Sequence, residues 1–399
     1  MSPVVKPVKP RIMAPGPVEI PPETLLAAAA PGPHHRTQEF RTALAEALAA
    51  LQRVLGTKHP VVPLACSGTG GMEACVASLV SPGDEVLVTV CGVFSQRWAE
   101  ILEAYGLVVH RLEVGWGEPV DPRELAVKLK RHDHYAAVFT VLSETSTGIE
   151  NDIEAIGKLL APTPTLLVVD GISGVGALPF RMDAWGVDAV VVGSQKGLMV
   201  PPGLACVGLS PKAQAVLGKG KSPSFYLNLG KALKALTREA LPDTPFTPPV
   251  SLLLQLRASL AVLEREGLEA CWARHARLGA AVRSAVCALG LKLLGGSGHS
   301  NVVTAVDCEG GPDAGQVVRR LRDDFGVSIV GGQGKLKGRI FRLGHVGHVD
   351  ELDVIALVGA LEMVLAGLGW PLTAVAGVAA AEQVFLASRR GQPAAAGKA

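Results

Sequence analysis

The chain has 399 residues, and at roughly 150 residues per domain that length makes room for two or three domains with a large core. Hydrophobic residues make up 48%, charged residues 19%, and 46 glycines and 28 prolines accompany them, a balance that describes a folded, turn-rich chain and excludes disorder except at the ends. With 38 basic against 36 acidic residues the formal charge is +2, so no net field draws a polyanion or an anionic membrane, and neither is expected as a partner.

The opening MSPVVKPVKPRIM is interrupted by Pro and Lys where a secretory leader needs an apolar run, so residues 1–20 read as an N-terminal arm. From about residue 20 to 210, apolar runs alternate with helical patterns. Strands are expected at 61–67, 85–90, 108–114, 136–143, 165–170, 189–195 and 204–209. TLLVVD and AVVVGSQ are continuous apolar runs, the pattern of strands covered on both faces. The segment 21–249 is therefore expected to be a large α/β domain on a mainly parallel seven-stranded sheet. The Pro-rich break LPDTPFTPP at 241–249 ends it, and two helices follow at 251–265 and 267–288. Short strands within LKLL, NVVTAV, VSIV and RIFRLG then interleave with helices at 314–325 and 350–368. This places connecting helices and a smaller C-terminal α/β domain over 250–387. The apolar stretch 354–369 contains Glu362 and falls short of the roughly 20 residues of a membrane span. The tail 388–399 lacks apolar periodicity and is expected to be flexible. Seven scattered cysteines without a C-x-x-C pair read as reduced, buried thiols of a cytoplasmic protein.

Six runs carry chemistry. Ser67-Gly68-Thr69-Gly70-Gly71 lies at a strand-to-helix turn, where helix N–H groups favour an anion, although a plain tight turn needs the same residues. Phe94 follows the strand at 85–90 and offers a ring for stacking on a planar ligand. The hydroxyl-rich run Ser143-Glu144-Thr145-Ser146-Thr147 ends another strand on the same rim. Asp170 closes TLLVVD, where open α/β sheets place their ligands, and a buried carboxylate there needs a cation or several donors. Lys196 follows AVVVGSQ, and a partly desolvated lysine has a lowered pKa suited to Schiff-base chemistry. Arg342, inside the apolar strand FRLG, is expected to meet a carboxylate, either a ligand's or an internal one. The histidines of HDH at 132–134, HHR at 34–36 and His345/His348 lack metal-site spacing and read as solvated loops.

In chain order, SGTGGMEA, ETSTG, VVDGISGVGALP, GSQKG and FRLG resemble the class V aminotransferases among the fold type I pyridoxal phosphate enzymes. The similarity is closest to the alanine–glyoxylate and serine–glyoxylate (serine–pyruvate) branch and runs from APGPVEIPPE to FRLGHVG. It implies that Lys196 holds pyridoxal 5'-phosphate and later moves the substrate α-proton, with Asp170 paired to the pyridine nitrogen. Thr69, Gly70, Gly71 and Gln195 would serve the phosphate, Thr145 the ring oxygen, Phe94 and Ile172 the ring faces, and Arg342 the substrate carboxylate. Thr247 would reach the phosphate of a second subunit, which implies a homodimer with shared sites. Phe94 stands where some relatives have Trp, and Thr244 where some have Tyr. Arg36, in a segment similar to bacterial and archaeal relatives, would meet a second anionic group. The implied reaction is a ping-pong transfer of the amino group from alanine or serine to glyoxylate or pyruvate. Alternatives are a phosphoserine-type or broad-specificity aminotransferase, a cysteine desulfurase-like lyase using Cys308, and a non-catalytic regulatory subunit. A nicotinamide dehydrogenase is disfavoured by the missing glycine fingerprint.

Overall fold

Seven runs rich in Val, Ala and Leu form one sheet in the computed structural model, which describes residues 9–29, 31–132, 134–219 and 223–390. They are β1 (Val61–Leu64), β2 (Glu85–Val90), β3 (Val108–Glu113), β4 (Ala137–Val141), β5 (Leu166–Asp170), β6 (Ala189–Gly193) and β7 (Ala205–Leu209). Their spatial order is β1-β7-β6-β5-β4-β2-β3. Only β7 runs antiparallel to its neighbours. Every residue of β4, β5, β6 and β7 is buried, which is why those runs contain no polar alternation. Because β2, β4, β5 and β6 are adjacent and point the same way, their carboxyl ends meet on one rim, although the sequence separates them by up to a hundred residues.

Helices cover both faces. Among them α1 (Gln38–Leu55) is capped by Thr37, whose side chain accepts from the Phe40 N–H. On the rim side, α2 (Gly68–Leu79) starts four residues after β1, and α3 (Val93–Ala104) follows β2. The Pro-rich break leads into α4 (Val250–Glu266) and α5 (Leu268–Ala288), as expected. A second apolar core then forms between α5, α6 (Ala314–Phe325), α7 (Glu351–Gly367) and a four-stranded sheet. That sheet contains β8 (Lys292–Leu293), β9 (Val303–Asp307), β10 (Val330–Gly331) and β11 (Ile340–Gly344), in the order β8-β9-β11-β10, all antiparallel.

Two expectations at the ends need correction or fall outside. Residues 388–390 are not tail but the last turn of a further helix, α8 (Ala376–Arg390). Its Gly377, Ala381 and Phe385, spaced four apart, form the buried face. Residues 391–399, the first eight residues and position 133 lie outside the described residues. The described part of the arm is tied at both ends: Arg11–Ile12 pairs with Val327–Ser328 beside the small sheet, and the Val18 N–H donates to the Gln195 carbonyl at 3.2 Å. Between them the Gly344 N–H donates to the Met13 carbonyl at 2.7 Å.

All seven cysteines are free. Five are buried and Cys66 is half-buried, but Cys287 is exposed on α5, against the expectation of uniformly buried thiols. Among the described residues no helix is long and apolar enough to cross a membrane.

Candidate active site

At the rim, β5 and β6 deliver Asp170 and Lys196 to the wall of a cavity of about 220 Å³. Lys196 is only 9% exposed, and its Nζ donates to the Pro15 carbonyl of the arm at 2.5 Å. Burial pulls its pKa down to about 8; Asp170 opposes the shift and Arg342 adds to it. Asp170 is 6% exposed and accepts one backbone bond, from the Ile172 N–H at 2.8 Å. Its pKa is pushed up to about 7, chiefly by burial and further by Glu144, while the Ile172 N–H, Lys196 and Arg97 oppose. Among the described residues Asp170 forms no ion pair, so a buried carboxylate is left ready for a cation.

The opposite wall is the β1-to-α2 turn, where Ser67, Gly68 and Thr69 line the cavity. Ser67 is extended and its side chain caps nothing, so the first-turn N–H groups of α2 head the cavity with the helix dipole behind them. The glycines also answer to packing. A Cβ on Gly71 would lie 2.7 Å from Val191 Cγ1, and one on Gly70 would lie 2.7 Å from Cys66 Cβ. The tight-turn reading is compatible with the other: the close helix–sheet contact places the first N–H groups of α2 at the rim.

Phe94 and Arg97 come from α3. Arg97 donates to Thr69 Oγ1 at 3.2 Å and sits 4.9 Å from the centroid of the Phe94 ring. Ile172, Ser173 and Gln195 line it as well, together with Gly16 and Pro17 of the arm. The Gln195 Oε1 is buried and has no hydrogen-bond partner among the described residues. Thr145 is buried, with its Oγ1 3.3 Å from Ser173 Oγ.

Arg342 is 4% exposed and enters from β11. Its Nε and Nη2 donate to the Gly331 carbonyl at 3.0 and 2.9 Å, and its Nη1 donates to the Thr145 carbonyl at 2.9 Å. Burial lowers its pKa to about 10, with Glu144 opposing. Among the described residues no ion pair forms, so the internal salt bridge weighed for this arginine is replaced by carbonyl contacts that hold the guanidinium plane.

Two expected site residues stay apart from this group. Thr247 is exposed and lines a separate hollow with Tyr226 and Phe246. Arg36 pairs with Asp243 at 2.6 Å and also donates to the Thr244 carbonyl, so a neighbour already answers its charge. The histidines split. His345 is not solvated but fully buried, with Nε2 2.9 Å from Thr304 Oγ1 and Nδ1 3.0 Å from the Asn301 carbonyl; burial pushes its pKa down to about 3. His34 and His348 are exposed as expected, whereas His132 is half-buried against Glu85.

Residues 23–334 match the Aminotransferase class-V family. The chain belongs to the class-V aminotransferases. It is 42% identical over 382 residues to a Synechococcus sp. protein named soluble hydrogenase, small subunit, covering 94% of this chain and 98% of that one. It is 38% identical over 381 residues to an L-aspartate–glyoxylate aminotransferase of Paracoccus denitrificans, covering 94% and 96%. Among solved structures, an alanine–glyoxylate aminotransferase from Nostoc sp. matches with a TM-score of 0.85 at 31% identity, covering 92% of this chain and 97% of the other.

The rim of this class-V aminotransferase also carries two residues that the motifs did not single out. Arg97 lay in plain view, three residues after Phe94, and its helical spacing places both on one face of α3. Glu144 carried no local signal. Its buried carboxylate accepts from the N–H groups of Phe94, Ser95 and Ser146 and from both serine hydroxyls, and so caps α3 from about fifty residues away.

Proposed function

We propose that the Lys196 cavity binds pyridoxal 5'-phosphate and that the enzyme moves the amino group of alanine or serine to glyoxylate or pyruvate. The observation that carries this reading is a buried, low-pKa amine and a buried, unpaired carboxylate on one cavity wall, facing a helix N-terminus across it. The residues fit the cofactor: Asp170 awaits a cation, and the α2 N-terminus with Arg97 awaits an anion. When bound, the cofactor supplies a conjugated ring that accepts electron density from the substrate α-carbon.

The chain's own residues supply the rest. Lys196 would hold the cofactor through Nζ and, when its amine is free, Nζ would accept the proton that leaves the substrate α-carbon and carry it to the site of reprotonation. Asp170, ionised beside the ring nitrogen, keeps that nitrogen protonated. Thr69, Gly70, Gly71 and Gln195 hold the phosphate, Phe94 and Ile172 cover the ring faces, and Thr145 serves the ring oxygen. Arg342, its plane already set by two carbonyls, receives the substrate carboxylate. The two half-reactions alternate in one cavity, which gives parallel lines in initial-rate plots.

The glyoxylate named for two of the relatives supports the acceptor, and the alanine named for one supports the donor. The hydrogenase-subunit name belongs to a relative; here Lys196, Asp170 and Arg342 are all present, which favours catalysis over a purely structural role. A desulfurase-like lyase needs a reactive thiol, but burial, assisted by Asp307, pushes the Cys308 thiol up to about 12. The outward-facing Thr247, beside exposed Phe225 and Tyr226, supports a homodimer whose partner completes the phosphate site. A cytoplasmic home accords with seven free thiols.

The test is the absorption spectrum of the purified enzyme loaded with pyridoxal phosphate, recorded while alanine, serine, phosphoserine, aspartate and cysteine are added singly. Alanine or serine should bleach the visible band and glyoxylate or pyruvate should restore it. A band that none of the five alters would overturn the reading.

A further inference from the structure

The end of the sheet opposite the Lys196 rim carries a second convergence of side chains that amino transfer does not use. Glu85 opens β2, and His110 lies on the edge strand β3. The parallel register pairs Glu85 with Val108, so His110, two residues on, points to the same face as Glu85. His132 arrives from the turn after the helix Pro122–Lys130. Glu85 Oε2 lies 2.7 Å from His110 Nε2 and 2.9 Å from His132 Nε2. One ligand atom from each of the three lies within 4.8 Å of the other two.

The rings are held in place. Tyr135 packs against both imidazoles, with centroids 5.2 Å from His110 and 4.4 Å from His132. His110 is 32%, His132 26% and Glu85 41% exposed, so solvent reaches the point where they converge. Two imidazole nitrogens and one carboxylate oxygen from three separate elements, with an open side toward water, form the donor set of a four-coordinate zinc site. Zinc bonds near 2.1 Å hold tetrahedral ligand atoms about 3.4 Å apart, so the nitrogen–oxygen contacts need to open by about 0.5–0.7 Å while the two imidazole ligand atoms, within 4.8 Å of each other, come to the same spacing.

We propose that Glu85, His110 and His132 bind a divalent transition metal of the zinc type, with water as the fourth ligand. The ion would replace the direct contacts between the two Nε2 atoms and Glu85, each imidazole binding it through Nε2 with its ring proton on Nδ1. Placed at the amino ends of β2 and β3, the ion clamps the edge strand and the 132 turn to the sheet and leaves the chemistry at the other rim alone.

The holoenzyme, stripped with a chelator and freed of it, is titrated with Zn²⁺ alone and its bound metal counted after gel filtration. Because Cys287 is exposed, the experiment uses a Cys287→Ser background, and Co²⁺ replaces Zn²⁺ in a parallel spectrum. The expected result is roughly one ion per chain, a Co²⁺ spectrum free of thiolate charge transfer, and a metal-dependent rise in melting temperature. His110→Ala and Glu85→Gln should lose at least about tenfold in affinity while turnover stays within about twofold of the parent. No stoichiometric metal in the parent, or equal binding in Glu85→Gln/His110→Ala/His132→Ala, would overturn the proposal. Wild-type turnover in the variants separates lost metal from lost folding.

Discussion

Lys196 and Asp170 both sit where burial penalises their charged forms, and the penalty has opposite pH consequences for the two. The amine is reactive only when neutral, so capture of pyridoxal phosphate by the cofactor-free protein should speed up as pH rises through about 8. Lys196→Ala should show no visible band and no turnover at any pH; retained turnover would remove Lys196 from its role. Asp170 ionises near pH 4 when unfolded but only near 7 when folded. The cofactor-free protein therefore loses stability as pH climbs across that window and does not recover it above. Asp170→Asn escapes the loss. Thermal unfolding without cofactor should show the variant gaining on the parent from pH 4.5 to pH 8, by an amount on the order of a few kcal/mol. A pH-independent difference would contradict the assignment. With cofactor bound the same substitution should slow α-proton removal by orders of magnitude. Arg342→Ala removes a charge-assisted contact, so KM for carboxylate substrates should rise by about ten- to a hundredfold. Unchanged kinetics would place the substrate elsewhere.

Individual elements were legible wherever burial was two-sided. The valine-rich runs of β4, β5 and β6 have no helical reading that fits their length, and β2 and α6 begin and end where the sequence pattern places them. Three things were illegible. The α8 helix shows its buried face only through Gly377, Ala381 and Phe385, a stripe too small to stand out among alanines. Glu144 and α3 are too far apart in sequence for a capping pattern to be recognised. The arm has little periodicity of its own, because its bonds go to distant strands. That arm yields a test at this scale. A Cβ on Gly344 would lie 2.2 Å from the Ala14 carbonyl carbon, backbone that cannot simply rotate away. Gly344→Ala should therefore lift the arm from β11 and cost about 1–3 kcal/mol in stability. Hydrogen exchange at Met13 to Val18 should accelerate; unaltered protection there would mean the arm is held by other contacts.

At the level of the molecule, the mainly parallel seven-stranded sheet and the smaller C-terminal unit follow from the alternation of runs, whereas the strand order, which brings Asp170 and Lys196 to one rim, is given by the structure alone. What no single chain reveals is where Thr247 acts, since it faces away from the cavity. If a second copy completes the site, light scattering should give a mass near twice 41.3 kDa. Phe225→Asp with Tyr226→Asp should then yield monomers that release the cofactor readily although Lys196 is intact. Tight retention by such monomers would exclude shared sites.

The arm has one more consequence, for how the two units communicate. It is bonded to Val327, Ser328 and Gly344 of the small unit at one end and to the Gln195 carbonyl, next to the lysine, at the other. The Pro15 carbonyl, which the Lys196 amine contacts, lies between those two attachments. The cover on the reactive amine is thus hung from both units, and a shift of the small one reaches the amine through the arm.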